Sequence, residues 1–446
     1  CEITGYPNHF HPFFITVMPL PEAILLHPIQ TPAKVRLGVP GSKSITNRAL
    51  ILAALSHGTR TLEGALWSED TQVMVDCLRK IGFEINISED SSDEANRRIQ
   101  VHGSGGRLPS QACLSKPLDL HVGNAGTAAR FLLAMTCLGH GQYRLSGVDR
   151  MHERPQKELI MALRELGYKI VSENGNLPAI VHGQGPRPGS SCTVSMRESS
   201  QFASALLLSA KAGGWDINTP LEQSEHAPYV EMTRSMIESF PQNEGNVCQI
   251  EPDASGGSYF WAIKHLMCKY GSNPSENIQI THWPQTDWQI DTEFPKFLPL
   301  PPEISREQDL GDSIMTSIVM APWSSHSTTF SELGRLRVQE CERVKALKTE
   351  LTKCGAQVEE HGDTLKIHPG RLHGASIDTY NDHRMAMCFA VVGTQIPGIV
   401  IKNPACVKKT FPNFFQKLAS PAPEGLSMKI CNASTGELLS PNDLIA

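Results

Sequence analysis

The sequence predicts an α/β fold made of similar lobes, and three observations support this prediction. Segments 77–85, 162–170 and 350–358 repeat one pattern: the end of an amphipathic helix, a Gly, and then residues that alternate as in a strand. A chain of 446 residues exceeds the size at which one hydrophobic core keeps growing, so two domains are expected. The hydrophobic content of 40% and the charged content of 19% are typical of a globular enzyme.

In the repeat, Gly82, Gly167 and Gly355 stand where a helix commonly ends in a left-handed residue. Pro155 suits the first turn of the second helix, whose buried face is marked by an apolar stripe: Leu159, Ile160, Leu163 and Leu166. A weaker copy spans residues 235–250. The spacing is too long and irregular for a solenoid, so the units predict similar lobes. Helix–Gly–strand junctions also occur in α/β proteins without repeats, and this alternative stays open.

The composition excludes several classes of function. The formal net charge of −6 gives no general attraction for nucleic acid, so an anion site must gather basic residues locally. The 12 Cys include no Cys-x-x-Cys pair and no tight Cys/His cluster, which indicates reduced thiols in the cytoplasm and neither disulfides nor a metal site. No apolar run approaches the ~18 residues of a membrane span. We therefore expect a cytoplasmic protein that binds neither nucleic acid nor a membrane.

Three stretches differ from the rest of the chain. Residues 1–17 contain no Met, whereas Met18 opens a sequence like a natural start, so we interpret 1–17 as leader or added residues. Residues 271–306 are rich in Pro, Trp and acidic side chains, which predicts loops over one lobe. Residues 420–425 indicate a break before a short tail.

The stretch from Gly41 to Arg48 predicts an anion-binding loop. It places a Lys, two hydroxyls and an Arg in one turn before the apolar run 49–55. A glycine-led loop that opens a helix presents unpaired backbone N–H groups and the positive end of the helix dipole. Ser44 and Arg48 are four residues apart and share a helix face. The Gly-Lys step of a Walker A loop is missing, so a small phosphate or carboxylate compound is favoured. An ordinary capped helix is the alternative.

Basic or hydroxyl side chains recur at further loop-to-helix junctions in both halves of the chain. These junctions lie at 121–130, 149–155, 199–201, 311–313, 337–343, 380–387 and 408–412. Each alone is equally typical of a cap, a tight turn or a solvated charge run. Together, in a net acidic chain, they predict a cleft between two lobes that holds two anionic ligands.

These motifs resemble the motif series of the 5-enolpyruvylshikimate-3-phosphate synthase family, in the family's order, from about Gly38 to Phe415. The matching segments are Gly41-Ser42-Lys43-Ser44 with Asn47-Arg48, Gly123-Asn124-Ala125-Gly126-Thr127-Ala128, Arg150 with Glu153-Arg154-Pro155, Ser199-Ser200-Gln201, Asp253-Ala254-Ser255 with Ser258-Tyr259, Arg337-Val338 with Glu340 and Arg343, Asn381-Asp382-His383-Arg384-Met385-Ala386-Met387, and Lys409-Thr410-Phe411-Pro412. One such motif is weak evidence, whereas eight in register are specific.

The resemblance implies a reaction and a fold. The enolpyruvyl group of phosphoenolpyruvate passes to the 5-hydroxyl of shikimate 3-phosphate through a tetrahedral ketal, with release of phosphate. The implied fold is an inside-out α/β barrel with two lobes of βαβαββ units and the active site in the cleft between them. Residues 18–40 and 257–446 would form the first lobe and 41–256 the second. The resemblance implies no metal or organic cofactor; we further expect a monomer whose partners are its small-molecule substrates.

The resemblance also assigns residue roles. The expected catalytic groups are Asp312, which takes the hydroxyl proton, Glu340, which serves the methylene carbon, and Lys43, which assists proton transfer. The residues implied around phosphoenolpyruvate are Lys43, Gly126, Arg150, Gln201, Arg343, Arg384 and Lys409. The residues implied around shikimate 3-phosphate are Ser44, Arg48, Ser199, Ser200, Gln201, Tyr229 and Asp312. Carboxylates suit this general acid–base work when their environments separate their pKa values.

Four positions depart from the family pattern. Gln339 stands where a Lys usually reaches the phosphate ester of shikimate 3-phosphate, and Arg335 occupies a nearby position that is often Asn. We hypothesise that Arg335 supplies the missing charge. His226 replaces a common Ser, which puts one phosphate hydrogen bond in doubt. Phe131 replaces a Pro beside the phosphoenolpyruvate site, and this predicts somewhat reduced sensitivity to the competitor glyphosate.

Two alternative functions remain to be separated by experiment. The UDP-N-acetylglucosamine enolpyruvyl transferase shares the fold and the donor but relies on a reactive Cys in a mobile loop. Cys113 precedes Gly123 and Asn124 instead of following them, and the Ser199-Ser200-Gln201 signature favours shikimate phosphate. The second alternative is a relative that binds the ligands without turnover, which Gln339 and His226 keep open.

Overall fold

The computed structural model describes residues 20–29, 34–109, 116–196, 198–219, 228–241, 243, 245–268 and 278–446. In these residues the α-helices are α1 Lys43–Leu55, α2 Glu69–Ile81, α3 Gly126–Thr136, α4 Asp149–Glu153, α5 Lys157–Glu165, α6 Gln201–Gly213, α7 Pro228–Ser239, α8 Ala254–Cys268, α9 Ile314–Met320, α10 Arg343–Lys353, α11 His383–Gly393 and α12 Phe414–Ala419. Short 3₁₀ segments lie at Ile290–Phe297, Ala321–Trp323, Leu333–Val338, Pro404–Lys409 and Pro441–Leu444.

The strands are short and alternate with the helices along the chain. They are β1 Ala23–Leu26, β2 Val35–Leu37, β3 His57–Leu66, β4 Ile85–Glu89, β5 Asn96–Ser104, β6 Leu118–His121, β7 His140–Ser146, β8 Lys169–Ser172, β9 Ala179–Gln184, β10 Ser191–Thr193, β11 Asp216–Asn218, β12 Val247–Gln249, β13 Ile278–Ile280, β14 Glu303–Ser305, β15 Thr328–Ser331, β16 Val358–His361, β17 Thr364–Ile367, β18 Ser376–Ile377, β19 Ile399–Lys402 and β20 Ile430–Asn432.

Four sheets of four strands share one pairing pattern. Their orders are β12-β3-β5-β4, β6-β7-β9-β8, β14-β15-β17-β16 and β18-β19-β1-β20. In each sheet the first pair is parallel and the next two pairs are antiparallel. Two-stranded parallel ladders, β10-β11 and β2-β13, complete the described sheets. The repeated order shows that the chain folds the same unit several times, as the sequence repeat predicted.

The three sequence repeats occupy equivalent places in these sheets. Gly82, Gly167 and Gly355 end or follow their helices with φ of 107°, 92° and 89°, a region that favours Gly. The strands after them, β4, β8 and β16, are each the outer antiparallel strand of a sheet. The weaker copy at 235–250 differs, because its strand β12 pairs in parallel at the opposite edge.

Two separate hydrophobic cores form in the described residues. One runs from Ile45 to Ile250. The other combines the segment from Ile24 to Val39 with the segment from Tyr259 to Leu444. We propose from this division that 18–40 and 257–446 form the first lobe and 41–256 the second.

One local expectation was wrong, and two segments hold more structure than the sequence indicated. Pro155 does not lie in the first turn of α5, which begins at Lys157; it follows α4, because the charged segment 149–153 forms a short helix of its own. The described part of 271–306 is more than loops, since it includes β13, the 3₁₀ segment Ile290–Phe297 and β14. The tail after Ser420 is packed: β20 pairs with β1, and Leu444 is fully buried.

Across the described residues, none of the helices is both long and apolar enough to cross a membrane.

Candidate active site

A cavity of about 120 Å³ lies between the two lobes, and charged and polar side chains dominate its wall. Its lining cations are Lys43, Arg130, Arg154, Arg306, Arg335, Arg343 and Arg384. Its lining carboxylates are Glu198, Asp253, Asp291, Asp312 and Glu340. Because the cations outnumber the carboxylates, the cavity suits ligands that carry several negative charges.

The loop before α1 is shaped by close backbone packing. A Cβ at Gly41 would lie 1.9 Å from the carbonyl oxygen of Gly64, so this position requires Gly. The Gly41 N–H donates to Asn96 Oδ1 at 2.9 Å, and the Ser42 N–H donates to the Glu251 carbonyl at 2.7 Å. These contacts hold the N-terminus of α1 against the cavity, with Lys43 and Ser44 on its wall.

Lys43 is paired with a carboxylate from the neighbouring helix. Its Nζ lies 3.1 Å from Asp70 Oδ2, in the first turn of α2. Asp70 is only 4% exposed, whereas Lys43 is 16% exposed. The pair therefore fixes the ammonium group at the edge of the cavity and leaves it open to a ligand.

Asp312 is surrounded by guanidinium groups. Its carboxylate lies 2.9 Å from Arg306 Nη2, 3.3 Å from Arg384 Nε and 3.8 Å from Arg343 Nη1. Burial disfavours the charged carboxylate, but Arg384, Arg306 and Arg343 outweigh burial and hold the pKa of Asp312 far below its usual range. The group is therefore ionised in the free protein.

Glu340 has cations on both of its oxygens. Lys409 Nζ lies 3.3 Å from Oε1, and Arg343 Nη2 lies 2.8 Å from Oε2. Burial disfavours the charged form, yet Lys409 and then Arg343 outweigh it and hold the pKa of Glu340 well below its usual range. Lys409 also donates to the Asn124 carbonyl at 3.3 Å, so the same ammonium links the two lobes.

Two guanidinium groups, Arg130 in α3 and Arg154 directly after α4, lie beside Gly126 at the start of α3. A Cβ on Gly126 would lie 2.6 Å from Arg154 Nη2 and 2.9 Å from Arg130 Nη1, so a side chain here would displace the two guanidinium groups. Arg130 donates to Gln201 Oε1 at 2.7 Å, and Arg154 donates to the Asn124 carbonyl at 3.1 Å. Burial and the neighbouring Arg154 lower the pKa of Arg130, which makes an anion at this end of the cavity favourable.

A family model described as EPSP synthase (3-phosphoshikimate 1-carboxyvinyltransferase) matches residues 29–267 and 274–418. The chain belongs to the EPSP synthase family. The membership confirms the resemblance seen in the sequence motifs.

Curated relatives and solved structures agree with this membership. The 3-phosphoshikimate 1-carboxyvinyltransferase of Nostoc punctiforme is 36% identical over 432 residues, which cover 89% of this chain and 98% of the relative. The 3-phosphoshikimate 1-carboxyvinyltransferase of Pseudomonas syringae pv. tomato is 35% identical over 427 residues, which cover 90% of this chain and 98% of the relative.

The solved structures bear on the fold alone. An EPSP synthase from Acinetobacter baumannii superposes with a TM-score of 0.70 at 21% identity, covering 92% of this chain and 99% of that one. The enolpyruvyl transferase NikO from Streptomyces tendae superposes with a TM-score of 0.63 at 14% identity, covering 92% of this chain and 98% of that one. They confirm the predicted fold class, an α/β protein with the enolpyruvyl transferase architecture.

Most residues expected from the EPSP synthase motifs line the cavity. They are Lys43, Ser44, Ser199, Ser200, Gln201, Tyr229, Asp312, Glu340, Arg343 and Arg384. Gly126 and Lys409 lie directly behind this wall, in contact with residues that form it. Of the positions that depart from the family pattern, Gln339 and Arg335 line the cavity, while His226 lies outside the described residues. Cys113, which was considered for the UDP-N-acetylglucosamine enolpyruvyl transferase alternative, also lies outside them.

Arg48 and Arg150 do not line the cavity. Arg48 is buried behind it, where its guanidinium donates to Thr233 Oγ1 at 2.8 Å, Ser204 Oγ at 3.2 Å and the Tyr229 carbonyl at 3.1 Å. In this structure Arg48 therefore holds α1, α6 and α7 together behind the cavity wall. Arg150 lies at the rim, where it pairs with Glu153 at 2.7 Å and donates to the Gln339 carbonyl of the other lobe at 3.2 Å.

Several wall residues were absent from the predicted site. Arg130, Arg154 and His383 lie in the loop-to-helix junctions identified in the sequence, and those junctions could have indicated that they line the site. Asp291, Trp288 and Arg306 come from the segment interpreted as loops, which carries no motif. Asp291 accepts from the Gly311 N–H at 2.8 Å and from Ser313 Oγ at 2.5 Å, so it shapes the turn that presents Asp312.

We predict a pH dependence of stability from His383. The ring is 1% exposed, and neither of its nitrogens has a hydrogen-bond partner among the described residues. Burial lowers its pKa well below the usual value, so the unfolded chain binds the proton more tightly. Stability is therefore lost as pH falls below the unfolded value, by about 1 kcal/mol from about pH 6.5 to 5.5.

Urea unfolding of wild type and His383→Asn at these two pH values measures the effect. The variant should lose less stability on acidification. His361→Asn, which removes a ring that is 78% exposed, is the matched control. Equal pH dependence in wild type and His383→Asn would contradict the prediction.

Proposed function

We propose that the chain is a 3-phosphoshikimate 1-carboxyvinyltransferase, which transfers the enolpyruvyl group of phosphoenolpyruvate to the 5-hydroxyl of shikimate 3-phosphate. The chain belongs to the EPSP synthase family, and its match to the curated relatives covers nearly the whole length of those relatives. Both observations support this activity. The observation that carries it is the cavity between the lobes, where two ionised carboxylates, Asp312 and Glu340, lie among an excess of cations. Two anionic substrates supply the charge that this wall lacks.

The proposed chemistry is addition followed by elimination. Asp312 takes the proton of the attacking hydroxyl, while Glu340 and Lys43 serve proton transfer at the methylene carbon, and the tetrahedral ketal then expels phosphate. In the free protein the cations hold the pKa values of both carboxylates low. Bound phosphate and carboxylate groups neutralise part of this positive charge, so both pKa values rise toward a range useful for proton transfer.

The two substrates take different parts of the wall in this proposal. Phosphoenolpyruvate contacts Arg343, Arg384 and Lys409 on one lobe, and Lys43, Gln201 and the start of α3 on the other. Shikimate 3-phosphate contacts Ser44, Ser199, Ser200, Tyr229 and Asp312. Arg150 closes over the donor from the rim, and Arg48 acts on the acceptor through the backbone of Tyr229. The monomeric state and the cytoplasmic location stay predictions.

Phosphate release tests the function directly. The purified chain is incubated with phosphoenolpyruvate and either shikimate 3-phosphate or UDP-N-acetylglucosamine. Release only with shikimate 3-phosphate is expected. Release only with the amino-sugar nucleotide would indicate the other enolpyruvyl transferase. Calorimetric binding of shikimate 3-phosphate without phosphate release would indicate a relative that does not catalyse the reaction.

Arg335→Ala is expected to raise the apparent KM for shikimate 3-phosphate by about tenfold, because a charge-assisted hydrogen bond to its phosphate is lost. Arg335 lines the cavity beside Gln339, whose side chain is neutral. Initial rates at saturating phosphoenolpyruvate measure the effect, with the KM for phosphoenolpyruvate as the internal control. An unchanged KM for shikimate 3-phosphate would rule the hypothesis out.

Glyphosate is expected to inhibit this chain a few-fold less strongly than a sensitive member of the family. Phe131 is fully buried in α3, where its ring lies 5.3 Å from the Arg48 guanidinium carbon. The first turns of this helix border the proposed donor site, so a larger side chain here alters their position. Gly126 is retained, so strong resistance is not expected. Inhibition curves against phosphoenolpyruvate that coincide for the two enzymes would contradict the prediction.

A further inference from the structure

Two arginines on the acceptor side of the cavity come from segments outside the helix junctions. Arg306 follows β14, and its N–H donates to the Ser331 carbonyl of β15 at 3.1 Å. Arg335 lies in the 3₁₀ segment Leu333–Val338, which follows β15 directly. Adjacent strands of one sheet thus bring both guanidinium groups to the wall that also holds Asp312.

Arg306 shares its carboxylate partner with other arginines, and Arg335 makes no ion pair within 4 Å among the described residues. Arg306 is 7% exposed and pairs with Asp312, but Arg343 and Arg384 share that same carboxylate. The Nε of Arg306 is buried and has no hydrogen-bond partner among the described residues. Arg335 donates to the Met196 carbonyl of the other lobe at 3.0 Å. Burial and then the nearby Arg306 lower the pKa of Arg335, although Glu307 and Tyr229 oppose this shift, so an anion between the two arginines is favourable.

We propose that Arg306 and Arg335 together bind the phosphate ester of the acceptor, so that two guanidinium groups form the main phosphate-binding site of this chain. This inference rests on the proposed function. A planar guanidinium can donate two parallel hydrogen bonds to a phosphate, and a pair of them balances its two negative charges. Ser199 of the other lobe also lines the cavity, and its hydroxyl can add a further donor. Gln339, being neutral, cannot replace either cation.

Equilibrium binding to the whole chain tests this assignment. Wild type, Arg306→Gln and Arg306→Lys are titrated calorimetrically with shikimate 3-phosphate, with shikimate and with inorganic phosphate. Shikimate keeps the ring and carboxylate but lacks the phosphate. Arg306→Gln is expected to weaken binding of shikimate 3-phosphate by about 30-fold and of shikimate by less than about threefold. Arg306→Lys keeps the charge but not the planar guanidinium that donates two parallel hydrogen bonds. Its affinity for shikimate 3-phosphate should therefore fall about fivefold, while its affinity for shikimate should not change.

Arg144→Gln is the matched control, because this exposed arginine pairs with Asp119 on the surface of the other lobe. Unchanged affinity of Arg306→Gln for shikimate 3-phosphate would overturn the assignment. Equal weakening for shikimate and shikimate 3-phosphate would also overturn it, since Arg306 would then bind the carboxylate or support the fold. If Arg306→Gln does not fold, Arg306→Lys decides by the same comparison.

Failure of the proposed function can be distinguished from failure of the phosphate-binding assignment. If wild type releases no phosphate from the two substrates, the proposed function fails. If wild type turns over while Arg306→Gln still prefers shikimate 3-phosphate over shikimate as wild type does, only the phosphate assignment fails.

Discussion

Lys43→Met is expected to reduce kcat by about 10³-fold while the protein stays folded. Lys43 brings the only ammonium group that directly lines the described cavity, at the N-terminus of α1. In the proposed mechanism it assists proton transfer and pairs with phosphoenolpyruvate, and positioned groups of this kind contribute about 10²–10⁴-fold. Steady-state phosphate release at saturating substrates measures the change in kcat. Met keeps the length of the side chain and removes its charge.

Loss of stability must be separated from loss of chemistry, since Lys43→Met leaves the nearly buried Asp70 without its ion pair. The double variant Lys43→Met/Asp70→Asn removes the unpaired charge as well. It should recover the melting temperature of wild type but not its activity. Lys296→Met is the surface control, because Lys296 is 72% exposed and pairs with Glu293 three residues away. Activity restored in the double variant would contradict a catalytic role for Lys43.

The helix junctions of the site could be predicted from the sequence because each carries its own local signal. Gly41 marks a close backbone approach that allows no side chain, Gly126 marks a close approach of two arginine side chains, and hydroxyl or acidic residues follow at the helix starts. The outer strands β4, β8 and β16 could be predicted for the same reason, since helix, Gly and strand are consecutive in the chain. Signals of this kind need only a few neighbouring residues.

The rest of the site depends on tertiary contacts that have no local signal. Arg306 is one charged residue in a segment of mixed composition, and only the pairing of β14 with β15 brings it to Asp312. Asp70 meets Lys43 only through the packing of α1 on α2. Arg48 shares a helix face with Ser44, as predicted, yet the packing of Thr233 and Ser204 decides where its guanidinium lies. Family motifs identify the residues of the site, but they do not predict where each side chain points.

Asp312→Asn is expected to lower kcat by about 10²–10⁴-fold, because Asn has nearly the same shape but cannot take a proton from the acceptor hydroxyl. The turn before α9 should keep its geometry, since Asp291 holds it through the Gly311 N–H and Ser313. Shikimate 3-phosphate should still bind, since loss of this carboxylate frees Arg306 for the phosphate. The expected result is therefore a large loss of kcat with little loss of acceptor affinity.

Calorimetric binding and phosphate release, measured on the same preparation well below its melting temperature, separate the two effects for Asp312→Asn. Asp119→Asn, at a carboxylate that is 61% exposed, is the control and should match wild type in both assays. In wild type kcat should fall at acid pH as Asp312 takes up a proton, whereas the residual rate of Asp312→Asn should lack this dependence. A variant that keeps the wild-type kcat would show that another group accepts the hydroxyl proton. Unchanged kcat/KM for phosphoenolpyruvate would lead to the same conclusion, because proton removal by Asp312 belongs to the step that consumes the donor.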